Sequence, residues 1–327
     1  MIGCGHMGRY HAAKLAALPD IKFVGCFDII RDKADKLAAE YNVSSFSSFA
    51  ELAGQIEAAV VAVPTSSHAD CAIPLLENKV AVLLEKPIAP DIAGAEKIVA
   101  AAERSGVVLQ IGHSERFNPV YRAARPKIEN PRFIETHRLA PFKGRGQDVA
   151  VILDIMIHDI DLLLDITGAP PEKIEAAGVG VITETFDIVN ARLVFPSVAG
   201  QAGCVANITA SRISLKEMRK LRVFQKSGYI SMDLAKSELE IYSLVGSESP
   251  QAKAAGPFSS FRMPDGRVIV RENSEIAAGD NLQNELKSFI EAVRGEHPPL
   301  VSGRDGIAAL QVALQIEELC ADYQKNL

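Results

Sequence analysis

Gly3-Cys4-Gly5-His6-Met7-Gly8, near the start of a chain of 327 residues, is the stretch on which the fold turns. Glycine at the first position permits a tight turn, at the second lets backbone approach a pyrophosphate, and at the third lets helix and strand pack closely. A helical pattern at about 7–18 follows and presents free N–H groups and a positive dipole end to phosphates, so His6 and Met7 join the three glycines as cofactor candidates. The pattern alone also occurs in simple turns, so its surroundings decide. A strand predicted at 21–27 (IKFVGCF) ends at Asp28, about 20 residues beyond the glycines, where a carboxylate can accept hydrogen bonds from ribose hydroxyls. Asp28 equally suits the N-cap of a helix over 31–42. Its charge opposes a 2′-phosphate and favours NAD; Arg31 nearby keeps NADP open.

Outward from the glycines, apolar runs at 58–63, 80–84 and 107–111 alternate with helical patterns at 68–77 and 91–105. That alternation predicts parallel strands joined by crossover helices, an α/β Rossmann domain with a doubly wound sheet. The strands are apolar on both faces, as strands covered on each side must be. Only Met1 and Ile2 precede the loop, where a strand of about five residues is usual, so the natural protein is expected to begin several residues earlier. After Pro119 the rhythm changes. A strand at 132–139 and an apolar helix at 149–167 precede extended segments near 174–195, 199–210, 219–226, 228–234, 238–245 and 267–271. Strands in succession predict an α+β domain with an open, mostly antiparallel sheet. Helices at 280–294 and 303–323 close the chain. The expected domains are 1–118 for the dinucleotide and 119–327 for substrate binding.

Composition narrows the function classes. Net charge is −6 and the basic residues are scattered, which argues against nucleic acid. No apolar run approaches the roughly 20 residues needed to cross a bilayer, and no signal peptide is legible. Five widely spaced cysteines without a C-x-x-C pair fit neither a metal cage nor a disulfide framework, and point to a reducing cytoplasm.

Several polar residues stand where ligands bind in such a fold. Pro64-Thr65-Ser66-Ser67-His68 follows the third strand at the sheet's carboxyl edge; Thr65 or His68 can face a nicotinamide ribose, or a serine can cap the next helix. Glu85-Lys86-Pro87 ends the next strand, placing a lysine where it can polarise a substrate oxygen. On the helix at 149–167, Asp154, His158, Asp161 and Asp165 share one face by 3.6-residue periodicity. That stripe is either a solvated face or a proton-transfer site in which a carboxylate orients and tunes the histidine. In Gly112-His113-Ser114-Glu115-Arg116-Phe117-Asn118-Pro119, Arg116 suits a phosphate or carboxylate and Asn118 suits hydroxyls, with His113 beside them; Phe117 reads as part of an interdomain turn. Arg138, Lys143 and Arg145 can meet a diphosphate or be merely solvated.

Taken together, the glycine loop, Pro64 to His68, Glu85-Lys86-Pro87, Asp154-Ile155-Met156-Ile157-His158 and Pro298 to Gly306 resemble the Gfo/Idh/MocA (glucose–fructose oxidoreductase / inositol dehydrogenase) family. The resemblance runs nearly end to end. It implies a nicotinamide cofactor, NAD or NADP, and oxidation or reduction at a ring carbon of a sugar or cyclitol. It implies His158 as general base, Lys86 as holder of the reacting oxygen and Asp154 as their support, with a homodimer or homotetramer formed through the second sheet. The Gly112–Pro119 segment is similar to that of the family's nucleotide-sugar dehydrogenases acting on UDP-N-acetylglucosamine at the 3-hydroxyl. Alternatives are a free-sugar or inositol dehydrogenase and a catalytically silent dinucleotide-sensing regulator.

Overall fold

Apolar strands that alternate with amphipathic helices bury both faces of their sheet, and the amino-terminal half of the chain does so. The computed structural model describes residues 1–142, 149–198, 200, 202–256, 259–277 and 279–325. It divides into two units, Met1–Phe117 with Asp280–Gln311, and Asn118–Gly279 with Val312–Leu327.

In the first unit β1 (Gly25–Cys26) pairs in parallel with β2 (Ser44–Ser45), and β3 (Ala58–Val61), β4 (Ala81–Glu85) and β5 (Leu109–Gly112) form a second parallel group. Ile2 bridges Phe27 on one side and Val61 on the other. Its N–H donates to Val60 O at 2.8 Å, and the N–H of Gly3 to Phe27 O at 2.9 Å. The order is therefore β2-β1-Ile2-β3-β4-β5, with the chain switching direction across the sheet at Ile2, the place where ligands bind in open α/β folds. Every residue of β4 is buried. The helices are α1 (His6–Ala16), α2 (Arg31–Tyr41), α3 (Phe49–Ala53), α4 (His68–Glu77) and α5 (Ile92–Ser105). α5 shows why they stop and start where they do: the Asp91 side chain accepts the Gly94 N–H at 2.7 Å, and Gly106 ends the helix with φ +65°.

The second unit starts with α6 (Pro119–Ala124) and β6 (Phe133–Leu139). A π-helical turn, Ile152–Met156, runs into α7 (Ile157–Thr167). Then come β7 (Lys173–Val179), β8 (Ile188–Phe195), β9 (Cys204–Ser211), β10 (Met218–Gln225), β11 (Gly228–Asp233), β12 (Glu238–Gly246), α8 (Pro250–Ala254), β13 (Ser260–Arg262) and β14 (Arg267–Glu275). The strands form one open sheet in the order β13-β14-β12-β11-β10-β6-β9-β8-β7. Among the described residues β6 and β9 are its only parallel neighbours. Period-2 alternation sends Ile134, Thr136 and Arg138 of β6, with Ala206, Ile208 and Ala210 of β9, into the interior, where the π turn and α7 pack on β9. On the opposite parity Phe133, Phe224, Tyr229 and Tyr242 stand directly across from one another, with successive centroids 5.8, 5.0 and 4.9 Å apart.

The fold classes are as expected; the division of the chain is not contiguous. Residues 119–327 were expected to form one domain, but Asp280–Gln311 belongs to the first unit. There α9 (Asn281–Val293) packs on α1, and its Leu286 and Phe289 share a buried cluster with Ala12, Cys26, Leu37 and Leu83. The segment before α10 (Gly303–Lys325) runs beside β5, with Ile111 N–H donating to Val301 O at 3.0 Å. An amphipathic helix shows in its sequence which face is apolar, not which core receives it.

Candidate active site

The glycine loop fits a dinucleotide position by position. Gly3 has φ +86°, and a Cβ there would lie 2.3 Å from Ala62 O. A Cβ on Gly8 would lie 2.0 Å from Gly3 O, so α1 meets the loop at backbone distance. A Cβ on Gly5, by contrast, would meet no described atom within 4 Å: the open side of the loop is where a phosphate can come against the backbone. α1 begins there with no described side-chain cap and no acidic residue in its first turn, and His6 and Met7 are exposed. Its first N–H groups and dipole are thus suited to an anion.

Asp28 is half-buried beside the loop. Its Oδ2 accepts the Cys4 N–H at 2.7 Å and its Oδ1 the Ile30 N–H at 2.8 Å. A carboxylate has about four acceptor sites, so these two anchors leave capacity for ribose hydroxyls. Arg31 is turned to other partners, its Nε 2.8 Å from Asp35 Oδ1 and its Nη2 3.2 Å from Ser45 O, an arrangement that suits NAD.

Beyond β3, Pro64 is exposed and Thr65 half-buried, and Thr65–Ser67 make a 3-10 turn. His68, expected to face ribose, is instead buried. Its Nε2 lies 3.1 Å from Val63 O and its Nδ1 3.3 Å from Ile88 O, so the ring braces the loop after β3 against the segment after β4. Burial lowers its pKa and favours the neutral ring, whose single N–H donates to one of these two carbonyls. Ser67 precedes α4 without a described side-chain cap. Glu85, expected as a cofactor ligand, also points inward: Oε1 lies 2.8 Å from Nε2 of the buried His11 on α1, and Oε2 accepts the Lys86 N–H at 3.2 Å. Burial pushes the Glu85 carboxyl upward, but the His11 hydrogen bond and the neighbouring Lys86 outweigh it and hold the group below its usual value. Lys86 itself, half-buried, stands at the carboxyl end of β4, on the edge of the sheet that carries the glycine loop. Nothing in the sequence marks His11, whose role follows from the packing of α1 on the sheet.

In the second unit Asp154 lies within the π turn and His158 in the first turn of α7, both half-buried. The acidic stripe is not a solvated face. Asp161 is buried, and Asp165 accepts from Tyr121 Oη and, at 2.9 Å, from Arg125 Nε. Arg138, read as a possible diphosphate ligand, donates from Nε at 3.0 Å and Nη2 at 2.6 Å to Asp159 Oδ1 in a buried ion pair. Lys143 and Arg145 lie outside the described residues. The expected substrate residues of the 112–119 segment are likewise turned inward: His113, Arg116 and Asn118 are all buried. Asn118 caps α6 by accepting the Val120 N–H at 3.0 Å and donates to Leu234 O at 3.3 Å. Phe117 is fully buried.

Gly5→Ala will keep the melting temperature of the parent and lose affinity for NAD in calorimetry, whereas Gly8→Ala will lower the melting temperature itself. Equal melting temperatures for the two variants would contradict the assigned packing. The depressed Glu85 carboxyl adds stability that is complete above the ordinary Glu pKa, about 4.3, and is lost as pH falls through its lower folded value. Glu85→Gln will therefore melt below the parent at neutral pH, with the gap closing in acid; a gap unchanged at pH 3 would refute the pairing.

The family model described as "Oxidoreductase family, NAD-binding Rossmann fold" matches residues 1–113, and "GFO/IDH/MocA C-terminal domain" matches residues 124–231. UDP-N-acetylglucosamine 3-dehydrogenase of Acidithiobacillus ferrooxidans is 34% identical over 317 residues, 97% of this chain and 95% of the relative. Myo-inositol 2-dehydrogenase of Thermotoga maritima is 24% identical over 326 residues, 95% of this chain and 92% of the relative. The solved structure of the Acidithiobacillus enzyme, GnnA, superposes with a TM-score of 0.84 at 32% identity, covering 97% of this chain and 95% of that one. Scyllo-inositol dehydrogenase from Lactobacillus casei, solved with NAD(H) and scyllo-inositol, gives 0.76 at 18% identity over 98% and 96% of the two chains, a likeness of fold. With both family models matched and a relative aligned nearly end to end, the chain belongs to the Gfo/Idh/MocA family of NAD-binding oxidoreductases.

Proposed function

We propose that this oxidoreductase oxidises a ring hydroxyl of a nucleotide sugar, with UDP-N-acetylglucosamine at C3 as the first candidate. The observation that carries the choice is the 34% identity, over 97% of the chain, to an enzyme named for that reaction, against 24% over 95% of the chain for the myo-inositol 2-dehydrogenase of Thermotoga maritima. NAD held at the glycine loop would supply the acceptor for the hydride that leaves the carbon bearing the hydroxyl. The glycine loop holds the pyrophosphate and Asp28 the adenosine ribose, with Pro64 and Thr65 bordering the cofactor. His158 takes the hydroxyl proton, so that loss of proton and hydride together leaves a ketone. The Lys86 ammonium holds the oxygen and stabilises negative charge as it develops there. Asp154, four residues before His158, orients the hydroxyl. Glu85 and His68 brace the segments on either side of Lys86. The reading includes self-association as a dimer or tetramer through the second unit's sheet, and a place in the reducing cytoplasm supported by five free cysteines.

The test is reduction of NAD, followed by absorbance, with UDP-N-acetylglucosamine and with free sugars and inositols. Turnover is expected with the nucleotide sugar, and His158→Ala is expected to lower it by about 10²-fold or more. Activity on free polyols alone would replace the substrate assignment with an inositol-type one. Parental activity in the His158 variant would remove the base.

A further inference from the structure

Asp187 and Arg212 form a buried ion pair that the proposed reaction does not use. Their side chains are 0% and 5% exposed, and the Arg212 Nε donates to Asp187 Oδ1 at 2.7 Å. Asp187 gathers the turn between β7 and β8. Its Oδ2 accepts the N–H groups of Val181, Ile182 and Thr183 at 2.8, 2.6 and 2.9 Å, and its Oδ1 the Thr183 hydroxyl at 2.9 Å. Arg212, the residue after β9, uses the rest of its fork on other segments. Nη2 donates to the hydroxyls of Thr183 and Thr185 at 2.8 and 2.7 Å, and Nη1 donates to Val149 O at 2.7 Å. Backbone contacts repeat the connection: the Val151 N–H donates to Phe186 O and the Arg212 N–H to Asp187 O, both at 3.0 Å.

Val149 and Val151 lead directly into the π turn that carries Asp154. Taking a carboxylate and a guanidinium out of water carries a large penalty, and an apolar pair of similar volume is often as stable. Stability is therefore a weak reason for this arrangement; position is a stronger one. A planar guanidinium can join a carboxylate, two hydroxyls and a carbonyl in one fixed geometry, which a lysine or an apolar side chain cannot. The far side of the same segment is fixed by the Arg138–Asp159 pair, one residue beyond His158. The stretch bearing Asp154 and His158 is thus held at both ends by buried charge.

We propose that Asp187 and Arg212 are positioning residues: through Val149 they set the π turn, and with it Asp154 and His158, for proton transfer. This rests on the assignment of His158 as base. The variants are Arg212→Lys, Arg212→Ala with and without added guanidinium, and Thr185→Val, which removes one hydroxyl partner and leaves both charges. NAD affinity is expected to stay at the parental value, because the residues assigned to NAD lie in the first unit. Turnover of Arg212→Lys is expected to fall about 10-fold or more, since a misplacement of about 1 Å can cost on the order of 10²-fold. KM should move less than about threefold, the pattern of an interaction made in the transition state. Guanidinium should restore turnover to Arg212→Ala, and the limb of the pH profile lost in His158→Ala should be displaced in Arg212→Lys. Parental turnover and pH profile in a folded Arg212→Lys would overturn the proposal. Should both Arg212 variants fail to fold, Thr185→Val decides: lowered turnover at a parental melting temperature supports it, and parental turnover overturns it. Full activity of His158→Ala would instead sink the underlying assignment, so the two failures are distinguishable.

Discussion

The approach of Gly8 to the carbonyl of Gly3 is the contact on which the first unit depends. With 2.0 Å available where a Cβ would stand, only hydrogen fits, and α1 is drawn against the loop that leaves the centre of the sheet. Ile2 occupies that centre, bridging Phe27, the residue after β1, on one side and Val61 of β3 on the other. The same closeness brings His11 of α1 within reach of Glu85 at the end of β4. A single steric condition at two glycines thus sets the phosphate-binding end of α1 and the strand end that precedes Lys86.

The second unit relies more on charge. Its helical segment from the π turn through α7 touches three acidic–basic clusters: Asp187 with Arg212 before it, Asp159 with Arg138 near its head, and Asp165 with Arg125 and Tyr121 toward its end. In the first two both partners are buried and multiply hydrogen-bonded, the condition under which a buried charge is tolerated at all. The Asp187 carboxyl lies far below the usual carboxylate range: burial opposes this, and the amides of its turn together with the Arg212 guanidinium prevail.

Much of the architecture was legible because its signals are local. β4 is apolar at nearly every position, and a strand buried on both faces has to be. α4 occupies 68–77 as its periodicity predicts. β2 and α3 escaped notice for a physical reason: two serines paired with Gly25 and Cys26, and a five-residue helix capped by Ser48, are too short to show a period. Among the site candidates, the glycines, Asp28 and Lys86 stand where the loop and strand ends put them. Arg138 was misjudged although a clue existed: it shares parity with Ile134 and Thr136 in β6 and so had to point inward. Asn118 before Pro119 carried a helix-start signature, a capping side chain with proline in the first turn. For His113 and Arg116 no comparable clue exists, since a basic residue is written the same way whether it is buried or exposed.

The row of rings on the second sheet constrains more than packing. Phe133, Phe224, Tyr229 and Tyr242 occupy one line across β6, β10, β11 and β12, and Arg271 of β14 extends it, its guanidinium carbon 5.8 Å from the Tyr242 ring centre. Sliding any of these strands by one residue would send its member of the row through to the opposite face and bring an interior aliphatic out in exchange. A long, open sheet is the kind of structure in which misaligned pairings compete during folding, and this line of aromatic side chains acts as a vernier that admits one alignment and rejects its neighbours.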